Sequence, residues 1–559
     1  ETTFKPGKPL AERAAPTEQR EGRWMQGEVH DPRSYQLAGV AGHAGLFSTA
    51  DEIAVYAQML LNGGSYSGKR ILSPATVRLM TTARPVPGGQ RALGWDVNTR
   101  YSSNRGELFG PTSFGHTGFT GTSIWVDPAS RTTVIFLSNR VHPDGRGNIN
   151  QLRGQVATLA AAAIIAPPFP EKARPAVLEP KAIAPVLPGI DVLKRDGYQA
   201  LKGRRIGLVT NHTGRDRDGT STIDLLHKAE GVKLVALFSP EHGIRGIVDA
   251  PVPDGKDEKT GLPVFSLYGQ RKRPTAEQLA GIDTLVYDIQ DIGCRFYTYV
   301  TTLGYILETA AEHKLKVVVL DRPNPIGGVA VEGPILDKSR ESFVGYHPLP
   351  VRHGMTIGEL ARLFNRERKI NADLQVIPVE GWKREDLWDR TGLVWINPSP
   401  NMRSLAAALL YPGVGLLETT NLSVGRGTDR PFEVIGAPWL DGRRLAAALA
   451  QQQLPGVRFV PTRFTPSSST HAGKECGGVQ IYLDDWQRFQ SLPTGMAIAQ
   501  QLRLLYPNDW QMRRYDQLLA HPATFAAIER GDAPEKIVDA WTRDLEAFRA
   551  RRKEYLLYP

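Results

Sequence analysis

Apolar residues recur at helical spacing over residues 49–61, behind a Ser48-Thr49 cap and ahead of Gly63-Gly64. That pattern predicts a helix with a defined start and stop. Residues 123–126 and 132–137 are β-rich runs joined by Asp127-Pro128-Ala129-Ser130-Arg131, which predicts a hairpin. A closing helix over 148–165 would pack on that sheet. Farther along, short apolar runs at 205–210, 232–238, 284–289 and 315–320 alternate with helical stretches at 222–230 and 297–313. Such alternation implies parallel strands joined by crossover helices, a doubly wound α/β sheet. After about residue 390 the order changes to helices at 405–410 and 442–452, a strand at 457–464, and helices at 496–505 and 534–555. This reads as a smaller α+β subdomain.

Seven prolines between Pro167 and Pro188 stop any helix or central strand and mark a stiff, extended linker. The expected division is therefore 1–166, a linker at 167–188, a sheet domain at 189–390, and a smaller subdomain at 391–559 that completes a cleft. A chain of 559 residues is long enough for several cores.

The net charge of +10 invites a nucleic-acid reading, but Lys and Arg are scattered among acids without a basic arm or zinc-finger pattern. A mildly basic, solvated surface is the expectation, with no nucleic-acid partner. No apolar run reaches the roughly 20 residues a spanning helix needs, so no membrane span is expected. Cys294 and Cys476 are the only cysteines, which excludes a disulfide framework. The chain starts at Glu1 without a charged-then-apolar leader, so it reads as a fragment whose export signal would lie upstream.

In an open parallel sheet, ligands bind beyond the carboxyl ends of the strands. Here a polar cluster follows each predicted strand. These are Thr210-Asn211-His212-Thr213-Gly214, then Ser239-Pro240-Glu241-His242-Gly243-Ile244-Arg245-Gly246. Asp288-Ile289-Gln290-Asp291-Ile292-Gly293-Cys294-Arg295-Phe296-Tyr297-Thr298-Tyr299 and Asp321-Arg322-Pro323-Asn324-Pro325 complete the four. One such loop is ordinary turn chemistry. Four in succession, rich in carboxylates, imidazoles and guanidinia, predict a hydrogen-bonding pocket suited to a sugar. No Gly-x-Gly-x-x-Gly or phosphate-binding Gly-Lys-Ser/Thr loop occurs, and metal-ligand spacing is missing, so neither a cofactor nor a metal is expected.

Two resemblances sharpen this. The stretch Ala41-Gly42-His43-Ala44-Gly45-Leu46-Phe47-Ser48-Thr49-Ala50, with Phe114-Gly115-His116-Thr117-Gly118 and Ser123-Ile124-Trp125-Val126-Asp127-Pro128, resembles the serine β-lactamase and penicillin-binding-protein-like esterases. It covers about residues 30–165, the C-terminal part of that fold. The chemistry needs a Ser one helical turn before a Lys, and no Lys here has Ser three positions earlier. No acyl transfer is expected from this segment, and the face where the rest of such a domain packs should be exposed and apolar.

From about Leu187 to Pro559 the polar loops look like the NamZ-type exo-β-N-acetylmuramidases. So do Ser266-Leu267-Tyr268-Gly269, Val331-Glu332-Gly333-Pro334, Arg352-His353-Gly354-Met355-Thr356, Asn397-Pro398-Ser399-Pro400-Asn401-Met402 and Glu418-Thr419-Thr420-Asn421-Leu422-Ser423-Val424-Gly425-Arg426-Gly427-Thr428. The resemblance implies a Rossmann-like domain with a smaller C-terminal domain and an active site between them. It also implies removal of N-acetylmuramic acid (MurNAc) from the non-reducing ends of MurNAc-GlcNAc peptidoglycan fragments. A periplasmic or secreted location and a role in wall turnover or recycling follow as expectations.

Glycoside hydrolysis ordinarily uses two carboxyl groups. Glu241 is the first choice, by its strand-end position and its resemblance to the family's catalytic Glu; a loop salt bridge to Arg245 is its plain alternative. For the partner, Glu332 is preferred over Asp288, Asp291 and Glu418, and the substrate's own 2-acetamido group is a further option. MurNAc carries a lactyl carboxylate, which a guanidinium fork recognises; Arg295 and Arg426 lead, with Arg245 and Arg352 behind. Tyr268, Tyr297 and Tyr299 are candidates for stacking on sugar faces. Asn211, Gln290, Asn324, Asn397, Asn401 and Asn421 are candidates for hydroxyl contacts. His242 and His353 are candidates for orienting the acid. The competing reading is a non-catalytic wall-binding module that positions an upstream esterase-like domain.

Overall fold

In the computed structural model, which describes residues 2–165, 186–240, 244, 254–269 and 271–559, the buried runs of the second half become neighbouring strands of one sheet. In chain order they are β1 Arg205–Thr210, β2 Lys233–Ser239, β3 Gly255–Lys256, β4 Pro263–Ser266, β5 Thr284–Asp288, β6 Lys316–Leu320 and β7 Asp373–Ile377. Their spatial order is β3-β4-β2-β1-β5-β6-β7. Every pairing is parallel except that of the short edge strand β3 with β4.

Alternation along each strand sends successive side chains to opposite faces, and both faces are covered. Val209, Tyr287, Val317 and Val319 join a core with Leu303 and Leu307 of α3 (Thr298–Glu312) and Leu360 and Phe364 of α4 (Ile357–Glu367). Ile206, Leu208, Val286, Val318 and Leu320 join the opposite core. There they meet Ile190 and Leu193 of α1 (Gly189–Arg195) and Ile223 and Leu226 of α2 (Thr222–Lys228). A parallel sheet buried on both faces needs such near-continuous apolar runs. The short strands β4 and β7 were not legible as strands, because neither is a long apolar run.

The C-terminal part contains helices α5 (Leu405–Val414), α6 (Gly442–Ala450) and α7 (Ser491–Leu505) with a three-stranded sheet of Val434–Ala437, Cys476–Leu483 and Val457–Phe464. Its side chains Leu409, Leu445 and Leu502 belong to the same core as α3 and α4. The expected division near residue 390 therefore does not separate two cores. The helix expected over 534–555 is broken into α8 (Pro534–Asp539) and α9 (Thr542–Arg552). At the break Trp541 is buried and its indole N–H donates to Thr524 Oγ1 at 2.8 Å.

The chain forms two compact units, Glu1–Pro175 with Val460–Thr462, and Ala176–Phe459 with Arg463–Pro559. Of the proline-rich stretch expected as a linker, residues 167–185 lie outside the described residues. The first unit holds a six-stranded antiparallel sheet in which consecutive strands from Arg84–Val86 to Thr132–Phe136 lie side by side. The expected hairpin is present, with Ser123 opposite Phe136 and Asp127 opposite Thr132. Asp127 Oδ2 accepts from the Ser130 backbone at 2.9 Å, closing the turn. Helix Ala50–Leu61 starts where Thr49 Oγ1 accepts from the Glu52 N–H, and Asn150–Ile165 is the closing helix. Leu37, Leu46, Ile71, Leu79, Phe119 and Leu137 are exposed in this unit.

Candidate active site

Strand β1 is followed by α2 and leads to β2 on one side; β5 is followed by α3 and leads to β6 on the other. The chain thus departs in opposite directions above β1 and β5, the switch point at which open α/β sheets place their ligand crevice, between the following loops. Asn211 and Thr213 stand on one lip, Gln290 and Asp291 on the other.

Both lips are rigid. Asn211 is buried; its Nδ2 donates to Tyr299 Oη at 2.9 Å, and its Oδ1 accepts from the Thr213 N–H at 2.9 Å. Thr213 Oγ1 accepts from the Gln290 N–H at 3.0 Å, tying the lips together. Tyr299 donates to the Pro398 carbonyl at 2.7 Å, and His212 Nε2 lies 2.7 Å from the Asn397 carbonyl. The 397–401 loop thus reaches the crevice, with Asn397 exposed and Asn401 half-buried. Tyr268 is half-buried just beyond β4, also at the carboxyl edge.

The two loop acids after β5 differ sharply. Asp288 is buried and carries its charge in a closed pair: Arg322 Nε donates to Oδ1 at 2.6 Å and Nη2 to Oδ2 at 2.9 Å. Thr222 Oγ1 also donates to Oδ2 at 2.5 Å. Asp291 is equally buried, yet its protein donors include only backbone: the Gly293 N–H reaches Oδ2 at 2.7 Å. Its Oδ1 has no hydrogen-bond partner among the described residues. Burial pushes the Asp291 carboxyl up to about 7, opposed only by the Gly293 and Ile292 amides. Such a group holds or releases a proton near neutrality.

His353 lies beside it, with Nε2 3.9 Å from Asp291 Oδ2. Its Nδ1 accepts from the Met355 N–H at 3.2 Å, which places the ring proton on Nε2. Burial first, then the cations Arg552, Arg295 and Arg352, push this imidazole down to about 3, so it is neutral. Among the described residues His353 Nε2 and Gln290 Oε1 also lack hydrogen-bond partners. Gln290 spends both amide protons on the Asp291 and Pro323 carbonyls. Three buried polar atoms, on two adjacent residues and a neighbouring histidine, are thus left without a hydrogen-bond partner among the described residues.

Several expectations are corrected. Arg295 is not a carboxylate receptor: it is 1% exposed and its two terminal nitrogens donate to the Pro334, Leu349, Leu518 and Leu519 carbonyls. Glu332 is not poised for proton transfer. Oε1 accepts from Arg352 Nη1 at 2.6 Å and Oε2 from the Leu492 N–H at 3.0 Å. Asn324 and Asn421 use both amide ends internally, on Met355 and Ile326 and on Asp509 and Gln511 respectively. Tyr297 is buried edge-on between Tyr299 and Tyr411, not offered as a stacking face. Glu418 and Arg426 form a half-buried ion pair beside Tyr411, whose hydroxyl both influence. Glu241, His242 and Arg245 lie outside the described residues.

Sequence reasoning missed Arg322, which neutralises Asp288, and Asp321, Arg384 and Arg552, which brace the loops behind the crevice. Arg322 and Asp321 stand in a quoted motif, but nothing in a string of letters reveals their partners. Both cysteines are free and buried, and burial pushes their thiols up, toward the protonated form. Among the described residues no group of acids, histidines and cysteines could hold a metal, and no helix is long and apolar enough to cross a membrane.

Comparison with known proteins bears on this site. The family described as exo-beta-N-acetylmuramidase NamZ matches with its N-terminal part over residues 206–406 and its C-terminal part over 409–558. The beta-lactamase family matches residues 1–158. Peptidoglycan beta-N-acetylmuramidase NamZ of Bacillus subtilis is 46% identical over 375 residues, 66% of this chain and 91% of that protein. A putative D-alanyl-D-alanine carboxypeptidase of Escherichia coli is 41% identical over 121 residues, of whose length this chain spans 28%. A crystal structure of a DUF1343 family protein from Bacteroides fragilis superposes with a TM-score of 0.63 at 39% identity, covering 67% of this chain and 99% of that one. A second from the same organism gives 0.56 at 33% identity, with the same coverage.

Proposed function

The chain belongs to the NamZ family of exo-β-N-acetylmuramidases, and from that premise we propose how its crevice releases MurNAc from peptidoglycan. The enzyme is a glycoside hydrolase acting on peptidoglycan. The observation that carries the site assignment is Asp291: a buried carboxyl, close to half-protonated at neutral pH, with an open oxygen beside a neutral histidine. We assign Asp291 and Glu241 as the carboxyl pair.

Two carboxyl groups suffice for hydrolysis through an oxocarbenium-like transition state, one giving a proton to the leaving oxygen and one working as base, nucleophile or amide orienter. Asp291, held near 7 by burial, supports either a proton-donating role or, once ionised, a hydrogen bond to the 2-acetamido N–H. The His353 Nε2–H supplies a fixed donor beside it. Arg426 is the remaining guanidinium of the leading pair with surface access, and we assign it to the lactyl carboxylate.

The strand order, read over the six parallel strands, runs 3-2-1-4-5-6, which supports a Rossmann-like description of this domain. A non-reducing-end, exo-acting mode in wall turnover, outside the cytoplasm, is part of the same proposal and rests on the likeness to NamZ. The first unit we read as a β-lactamase-like part without a Ser-x-x-Lys nucleophile, associated with the glycan-cleaving unit for work on the same polymer.

The test is release of 4-nitrophenol from its β-MurNAc glycoside by the full chain. Glu241→Gln and Asp291→Asn should each abolish turnover while the fold is kept. Full activity in Asp291→Asn would overturn the assignment of the pair, and binding without turnover by the unaltered chain would favour the wall-binding module.

A further inference from the structure

The last residues of the chain touch none of the unpartnered polar atoms, yet they hold the loop that carries His353 and, through Asp321 and Arg322, the Asp288 end of the loop that carries Asp291. Arg552, at the end of α9, is 8% exposed. Its Nη1 donates to the Gly328, His353 and Gly354 carbonyls at 3.1, 3.1 and 2.7 Å, and its Nη2 to Val329 at 3.3 Å. Gly354 has φ +61°, and a Cβ there would stand 2.5 Å from Arg552 Nη1. The backbone at 353–354 is thus shaped around this guanidinium, and His353 hangs directly from it.

Tyr558 makes the second grip. Its hydroxyl donates to Asp321 Oδ2 and accepts from the Val379 N–H at 2.9 Å. Asp321, fully buried at the end of β6, also accepts from the Arg322 N–H at 2.9 Å, the Gly358 N–H at 2.7 Å and Thr356 Oγ1 at 2.7 Å. It therefore fixes Arg322, whose side chain clamps Asp288, and joins the 321–328 loop to the start of α4. Between the two grips the Leu557 N–H donates to Glu359 Oε1 at 2.8 Å, and beyond them the Pro559 carbonyl accepts from the Arg384 N–H at 3.0 Å.

We propose that the C-terminal segment Arg552–Tyr558 is a positioning element for MurNAc cleavage, with Arg552 setting His353 against Asp291 and Tyr558 setting Asp321 and the Arg322 clamp. This rests on the crevice assignment made above. A guanidinium that reaches four carbonyls at once is the feature that lets a distant segment fix a ring orientation: the Gly328 and Gly354 carbonyls are shared with Arg384, while the buried His353 carbonyl relies on Arg552. Displacing a catalytic group by even about 1 Å costs up to roughly a hundredfold in rate.

The experiment uses the full chain with Tyr558→Phe, Arg552→Met and Arg552→Lys, measuring kcat and KM on the 4-nitrophenyl β-MurNAc glycoside together with melting temperature. Tyr558→Phe should lower kcat about tenfold and Arg552→Met about a hundredfold, with KM within about twofold. Arg552→Lys should restore part of the loss. Should Arg552→Met not fold, Tyr558→Phe decides. A folded Tyr558→Phe with unchanged kcat, or losses that only track the unfolded fraction, would overturn the proposal. Asp291→Asn, measured alongside, tests the crevice separately: its retention of activity sinks that assignment, whereas the kcat split in the tail variants judges the tail.

Discussion

Arg322 lays its guanidinium against the Asp288 carboxylate with two hydrogen bonds of 2.6 and 2.9 Å, and both groups are buried. The pair stands at the ends of neighbouring strands β5 and β6, so it fixes the loops that leave them. Removing one partner strands the other charge in the core. Arg322→Met should therefore destabilise the second unit by about 3–5 kcal/mol, read as a fall in its melting temperature. A variant as stable as the parent would show that Asp288 is not ionised there.

Asp291 gives a pH signature. Its carboxyl titrates near 4 when unfolded and about 7 when folded. As pH rises through that window the unfolded chain ionises first, so the stability present below pH 4 is lost by about pH 7. Asp291→Asn removes the loss. The variant should melt above the parent at pH 8, by an amount equivalent to at most about 4 kcal/mol at roughly 1.4 per unit, and the gap should close by pH 4. Asp321, pushed up to about 6 by burial, acts in the same direction in both proteins and cancels. An equal gap at both pH values would refute the raised carboxyl.

Glu332→Gln separates structure from chemistry. Because both Glu332 oxygens are occupied by Arg352 and Leu492, the amide should lower melting temperature while kcat stays within about threefold. A loss of kcat comparable with that of Glu241→Gln would return Glu332 to the catalytic pair.

Arg426→Gln should cost about 1–3 kcal/mol of kcat/KM on MurNAc glycosides, the range of a charge-assisted hydrogen bond, and leave whatever turnover of GlcNAc glycosides the parent shows unchanged. Parallel loss on both substrates would remove the lactyl assignment.

The first unit, expressed as residues 1–165, should turn over neither nitrocefin nor 4-nitrophenyl esters, since its lysines lack a Ser one turn earlier. Clear hydrolysis of either would demand another nucleophile.

Much of the sheet was legible because its strands are short, continuous apolar runs separated by helical periodicity. β1 falls on the predicted bounds of 205–210, and β5 and β6 end within one residue of theirs. The element order changes near residue 390 and the two family models meet at 406–409, but such a change says nothing about whether the two regions share a core, as they do here. Loop motifs could not reveal partners: Arg295 read as a receptor for the lactyl carboxylate and Glu332 as a catalytic acid, and both prove to be internal struts.

From its letters alone this chain determined most of the long buried strands and their crossover helices, and that polar clusters follow those strands, because hydrophobic periodicity is a local property. Which carboxyl is neutralised by a guanidinium and which is left with an open oxygen was decided only by tertiary structure. Asp288 and Asp291 stand three residues apart in the same motif. A proton's affinity depends on the burial and partners around it, and those come from residues as distant as Arg322, His353 and Arg552.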